Sequence, residues 1–221
     1  MAGATFLCCL VSKRTYEVSI KEHIGLRGFK IKKLVNFTAL SLSFEIILMQ
    51  LFFIVKAKYS FLASSDSSPD EATMIVSWIA GILVAPVLEE IVCRAIMIET
   101  SKKDIGPVIA IITSSAVFAL LHLRAPLNSA HTFLGSLLWG YIYIKTNNVL
   151  YTIIIHSLTN ALLVLIDVLC DLNVPVCVER NGNTFINNYV VIFCCTVIIL
   201  ILTMHFIKKR KKTDKRENVP T

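Results

Sequence analysis

Between Ala85 and Met97 the sequence reads APVLEEIVCRAIM, which sets Glu89, Glu90 and Arg94 inside a run otherwise apolar enough for a membrane. A charge near the bilayer centre costs about 2.5 to 3.5 kcal/mol even on the lenient insertion scale, so such residues point by default to function. At roughly 100° per residue, Glu90 and Arg94 fall on one helical stripe four residues apart and can pair. Glu89 projects about 100° away from that stripe. A structural ion pair therefore explains two of the three charges and leaves Glu89 over. A carboxylate in a low-dielectric pocket is suited to proton transfer.

Two further polar sets lie downstream, on separate apolar segments. VFALLHL carries Phe118 and His122, and IIIHSLTNALL carries His156 and Asn160, again four residues apart on one helical face. Taken singly, His122 reads as an interfacial histidine, and His156 with Asn160 as hydrogen-bonding glue between helices. Taken with Glu89, which is free for proton transfer, they can serve one site together. Two imidazoles and a carboxylate are also a zinc set with an open fourth position, so Glu89, His122 and His156 are the ligands if a metal is used. HExxH is absent, and both a zinc-bound water and a water activated by Glu89 and His122 fit these residues. Ser157 and Thr159 are not candidate nucleophiles, since neither sits in a GxSxG elbow.

The elements that must hold these residues are membrane helices. The 221 residues are 55% hydrophobic and 17% charged, with a mean hydropathy of +0.70, which excludes an ordinary soluble domain. Apolar segments long enough to cross the hydrocarbon are expected at 36–55, 74–98, 106–123, 149–169 and 185–207, with a shorter sixth at 130–144. The expected fold is an all-α, polytopic transmembrane bundle of about six spans. A basic arm (1–35) precedes the membrane domain (36–207, motif core 84–163), and a disordered basic tail (208–221) follows it. The arm either lies on the inner surface as an amphipathic helix or is solvated. MAGATFLCCLV lacks a basic n-region, so no removable signal peptide is expected.

The net charge of +7 reflects topology and not nucleic acid binding, because the basic residues alternate in side along the chain. Seven precede the first segment, Lys102, Lys103 and Lys145 lie at two later turns, and seven follow the last segment; the opposite loops hold only Lys56, Lys58, Arg124 and Arg180. The seven cysteines form no CxxC pair; Cys93, Cys194 and Cys195 read as apolar packing, and Cys170 and Cys177 flank an outer loop where a disulfide is conceivable. Glu45, a further acid within the first segment, is expected to bond a polar partner inside the bundle in preference to lining the site. A hairpin about Asp104 brings Glu89 and His122 level to within about 4.5 Å. His156 reaches that level only if the turn at Asn147 and Asn148 sits deeper or the second and third helices project beyond the bilayer.

EEIVCR, FALLH and HSLTN resemble the three signature motifs EExxxR, FxxxH and HxxxN of the CAAX protease and bacteriocin-processing family, also called the Abi family, in the same order on successive apolar segments. Gly135 and Gly140, between the second and third motifs, resemble the small residues that allow close helix approach in that family. The resemblance spans about Val84 to Leu163. It implies an integral membrane endopeptidase of the CAAX prenyl endopeptidase type, acting on a peptide or protein substrate at the cell membrane. Glu89 and His122 would activate water, His156 and Asn160 would complete the site and stabilise the oxyanion, and Glu90 with Arg94 would hold its shape. Small members serve bacteriocin processing or self-immunity, and others process prenylated proteins. The competing class is a non-proteolytic membrane immunity protein or scaffold; a transporter lacks support, since no inverted repeat is apparent.

The charge asymmetry predicts a multi-pass chain with both termini cytoplasmic. Cysteines introduced at Ser67 and Thr213 should label from outside intact cells only at position 67; external labelling at 213 would rule out this topology.

Overall fold

The computed structural model describes residues 28–59, 71–122, 126–171, 177–180 and 183–186. Five helical stretches make up almost all of this: α1 (Ile31–Lys58), α2 (71–101), α3 (Pro107–Leu121), α4 (Pro126–Thr146) and α5 (Val149–Asp171). A short antiparallel ribbon, β1 (Cys177–Arg180) paired with β2 (Asn183–Ile186), follows α5. The fold is the expected all-α transmembrane bundle. Among the described residues, three helices are long and apolar enough to cross a membrane, over Ile31–Phe52, Ala72–Ser101 and Val149–Ile166, with α3 a shorter apolar helix. Residues 185 and 186, expected to open the last span, belong instead to β2. The rest of that span, most of the basic arm, the tail, and Cys194 and Cys195 lie outside the described residues, as do the side chains of Cys170 and Cys177.

The polarity of the bundle is that of a membrane protein. Its interior holds Glu90, Arg94, Ser114, Ser136 and Thr152 with almost no exposure, while Val108 (67%) and Leu120 (65%) face outward. Such apolar side chains cost nothing against lipid, whereas interior polar groups must bond one another.

Local chemistry sets the helix ends. Gly106 (φ +82°) occupies the left-handed region that admits glycine without strain, and Pro107 starts α3 where its missing N–H is not needed. Asn147 (φ +49°) turns the chain between α4 and α5, and the Asn148 side chain caps α5 by accepting the Leu150 N–H at 2.9 Å. Cys93 packs as a small apolar residue, wholly buried with Phe37, Phe118, Trp139 and Ile155.

The helix α2 is not uniformly α. Ala80–Val84 and Ile91–Ile98 wind as π-helix on either side of the α-helical Ala85–Glu90. In the π register a carbonyl accepts from the N–H five residues on, as Ala80 does from Ala85. The next such bond, to Gly81, would come from Pro86, which has no N–H. Pro86 thus leaves the Gly81 carbonyl to be satisfied by a side chain from elsewhere. The second π segment also bears on level. Lys102 reaches the Asn147 side chain at 3.4 Å, so the end of α2 meets the α4–α5 turn. The wider π winding then packs more residues into the distance back to Glu89. That shortening brings Glu89 nearer the level of His156 than α geometry alone would.

Helix α1 runs against α4 in a regular antiparallel register. Trp139 donates its indole N–H to Ser41 Oγ at 3.0 Å, and one turn away on each helix a Cβ on Gly135 would lie 3.6 Å from Glu45 Oε2. At Gly140 a Cβ would meet Ile111 Cγ2 at 2.8 Å, so α3 and α4 touch where no side chain fits. Gly140→Ala should therefore lower the stability of the purified protein by about 1 to 3 kcal/mol through overpacking. Adding Ile111→Ala should recover part of the loss in detergent thermal melts.

Candidate active site

The site is built from α2, α3, α4 and α5. Glu90, at the end of the α-helical turn of α2, is wholly buried and spends its two oxygens on two partners. Oε2 lies 3.2 Å from Arg94 Nε, and Oε1 lies 3.0 Å from His156 Nδ1. The Arg94 contact is the pairing that the four-residue spacing predicts, but it is off the hydrogen-bond line, and Arg94 lies in the second π segment. Arg94 is anchored at its other end, where Nη2 donates to the carbonyl (3.2 Å) and the hydroxyl (2.9 Å) of Ser136. The guanidinium carbon lies 5.2 Å from the Phe118 ring centroid and 5.9 Å from that of Trp139, so the cation rests against two aromatic rings. Glu90 and Arg94 do not line the cavity; they stand behind its wall and hold it.

His156 is held by two aromatic rings and by a partner on its Nδ1. Its ring stacks on Trp139 (centroids 4.1 Å, 29°) and meets Phe118 edge-on at 5.8 Å. Since the Glu90 carboxylate can only accept, His156 Nδ1 carries the proton and, in the neutral ring, Nε2 presents a lone pair. The same logic fixes His122, whose Nδ1 donates to the Phe118 carbonyl at 2.8 Å, where α3 ends and that carbonyl needs a donor. Both Nε2 atoms then face Glu89: His122 lies 3.7 Å from Oε1 and His156 3.9 Å from Oε2. Two imidazole lone pairs directed at a carboxylate leave a position that calls for a hydrogen donor shared among all three. Both distances exceed a direct hydrogen bond, which leaves room for a bridging water beside them.

Asn160 belongs to the same cavity, and its orientation follows from Pro86. Its Nδ2 donates at 2.8 Å to the Gly81 carbonyl that the proline leaves without a backbone partner. An amide carries two N–H groups, so one is spent on α2 and the other remains for a ligand. Glu89, His122, His156 and Asn160 all line an open cavity of about 660 Å³. The six residues singled out by spacing are thus brought together, four on the cavity and two behind it.

The donor chemistry of Glu89, His122 and His156 suits zinc, and both imidazoles have the carbonyl or carboxylate partner that orients a metal-ligating histidine. As arranged, however, no group of three or more His, Cys, Asp or Glu among the described residues could hold a metal ion.

Three contributors escape sequence reasoning. Trp139 and Ser136 support His156 and Arg94 from α4, and neither Trp nor Ser in an apolar helix announces such a role. Glu45 meets a polar partner within the bundle as expected, its Oε1 lying 2.9 Å from His131 Nε2 though off the hydrogen-bond line, but it also lines the cavity, against expectation. His131 carried a usable signal, being an ionisable residue inside an apolar helix.

Residues 71–162 match the family described as Rce1-like, Type II CAAX prenyl endopeptidase Rce1-like. The resemblance of the three motifs is borne out. The matched stretch contains all six residues and both π segments. No curated protein and no solved structure matches the chain.

Removing Arg94 strips Glu90 of its cation and should cost about 3 to 5 kcal/mol. Arg94→Ala should lose most folded protein, and Arg94→Lys should recover little, because an ammonium cannot span Glu90 and both Ser136 acceptors. Glu89→Gln should accumulate like wild type; size-exclusion profiles of fluorescent fusions compare the three.

Proposed function

We propose that the chain is an integral membrane endopeptidase of the type II CAAX prenyl endopeptidase kind, cutting a peptide or protein at the membrane through a water activated by Glu89. What supports this most is the convergence of His122 Nε2 and His156 Nε2 on the two oxygens of Glu89 at the wall of an open cavity. The family match supports peptide bond hydrolysis as the activity class.

In this reading Glu89 accepts a proton as the water oxygen attacks the scissile carbonyl carbon, and His122 holds that water through its Nε2 lone pair. The carbonyl π electrons move to oxygen, and the free N–H of Asn160 donates to the oxyanion. His156 joins as a donor once its Nε2 takes up the proton passed on by Glu89; Glu90 then neutralises the imidazolium from the other side of the ring. Collapse of the tetrahedral intermediate breaks the C–N bond, and the same proton goes to the leaving amine. Glu90 and Arg94 act as positioning residues. Within this activity, maturation of a small secreted peptide or self-immunity against one is the role that the family resemblance suggests.

Single changes of Glu89, His122 or His156 to Ala should each remove most peptidase activity, and double changes should add little, because groups that act as a unit are non-additive. Asn160→Ala should cost less, about 2.7 to 4 kcal/mol in the barrier, as for one lost oxyanion donor. Activity indifferent to chelators is expected; loss restored by zinc would transfer water activation to a metal. Full bacteriocin protection by a Glu89, His122 double variant would favour a non-proteolytic immunity protein or scaffold.

A further inference from the structure

The cavity has a second polar site that the hydrolytic reading does not use. On α1, Glu45 is 5% exposed at its side chain, and its Oε1 lies 2.9 Å from Nε2 of His131 on α4, whose side chain is 24% exposed. Phe52 meets the His131 ring edge-on at 5.4 Å and holds it. Gly135 faces the same carboxylate, and a Cβ there would lie 3.6 Å from Glu45 Oε2. Both members of the pair line the cavity that Glu89, His122 and His156 line.

The separation of the two sites can be read along α4. His131, Gly135 and Trp139 recur every four residues on its cavity face, and Trp139 stacks on His156 at the level of Glu89. Eight residues of α-helix span about 12 Å. An extended peptide advances about 3.3 Å per residue, so about three to four residues separate the level of the cut bond from the pair. The charge of the wall decides what would sit there. Among the described lining residues there are two carboxylates, Glu45 and Glu89, three histidines, and no lysine or arginine. Such a concave, electron-rich wall attracts cations and repels a free carboxylate.

Resting on the peptidase reading above, we propose that Glu45 and His131 form a substrate subsite for a cationic N–H group, about three to four residues from the cut bond. The group is a lysine or arginine side chain or a free amino terminus. His131 makes the exposed contact, and Glu45 supplies the charge behind it.

The test uses the full chain in lipid nanodiscs and fluorescent peptides carrying one lysine at each position in turn, each matched to a norleucine peptide. Each is made with free and acetylated amino termini and with free and amidated carboxyl termini. Binding is measured on Glu89→Gln protein, and cleavage on wild type. Lysine peptides should bind about ten- to hundredfold more tightly than their norleucine partners at one position, the range of a charge-assisted hydrogen bond. That ratio should fall toward one in Glu45→Gln on the same background. The ratio does not depend on the folded fraction, and His131→Gln carries the test if Glu45→Gln fails to accumulate. Loss of selectivity on acetylation alone would assign the site to an amino terminus; its persistence assigns it to a side chain. Charge-selective, Glu45-dependent binding without cleavage by wild type would overturn the peptidase reading alone. Cleavage with a ratio unaffected by Glu45 or His131, a preference for a free carboxyl terminus, or no peptide binding would overturn the subsite.

Discussion

Glu90 is the residue on which the rest of the site depends. A fully buried carboxylate survives in a bundle only if its charge is balanced by partners close at hand. Here one oxygen faces Arg94 and the other accepts from His156, so a single side chain joins α2 to α5. Arg94 extends the chain of contacts to Ser136 on α4. Three helices are thereby locked in register by one charge and its partners. The tautomer of His156 follows from the same contact, since a carboxylate on Nδ1 leaves Nε2 for the cavity.

The π winding of α2 is the second constraint, and it is tied to the first. Pro86 removes the donor that would satisfy Gly81 in that register, and Asn160 takes its place. On the far side of Glu89 and Glu90, Ser114 donates to the Cys93 carbonyl at 2.7 Å within the other π segment. Each irregular stretch of backbone is thus served by a side chain from another helix, as the membrane interior demands. The consequence is functional as well as structural. Asn160 is oriented by the backbone it satisfies, and Glu89 is drawn toward two histidines on other helices.

The hydrolytic groups and the Glu45–His131 pair share α4 as their ruler. Trp139 fixes one level by stacking on His156, and Gly135 lies against Glu45 one turn away.

Hydropathy alone determined that the chain is a helical membrane bundle, because lipid admits long apolar helices and few other structures. Spacing alone determined that Glu90 pairs with Arg94 and that His156 and Asn160 share a face, since contacts four residues apart depend only on local helix geometry. What the sequence could not contain is the outcome of packing between helices. The π segments arise where Pro86 withholds a donor and distant side chains satisfy the carbonyls, and so they depend on partners far along the chain. The same holds for Trp139 on His156, Ser136 on Arg94 and His131 on Glu45, the last separated by 86 residues. No local rule reaches across that distance; only the register of one helix against another brings those groups within bonding range.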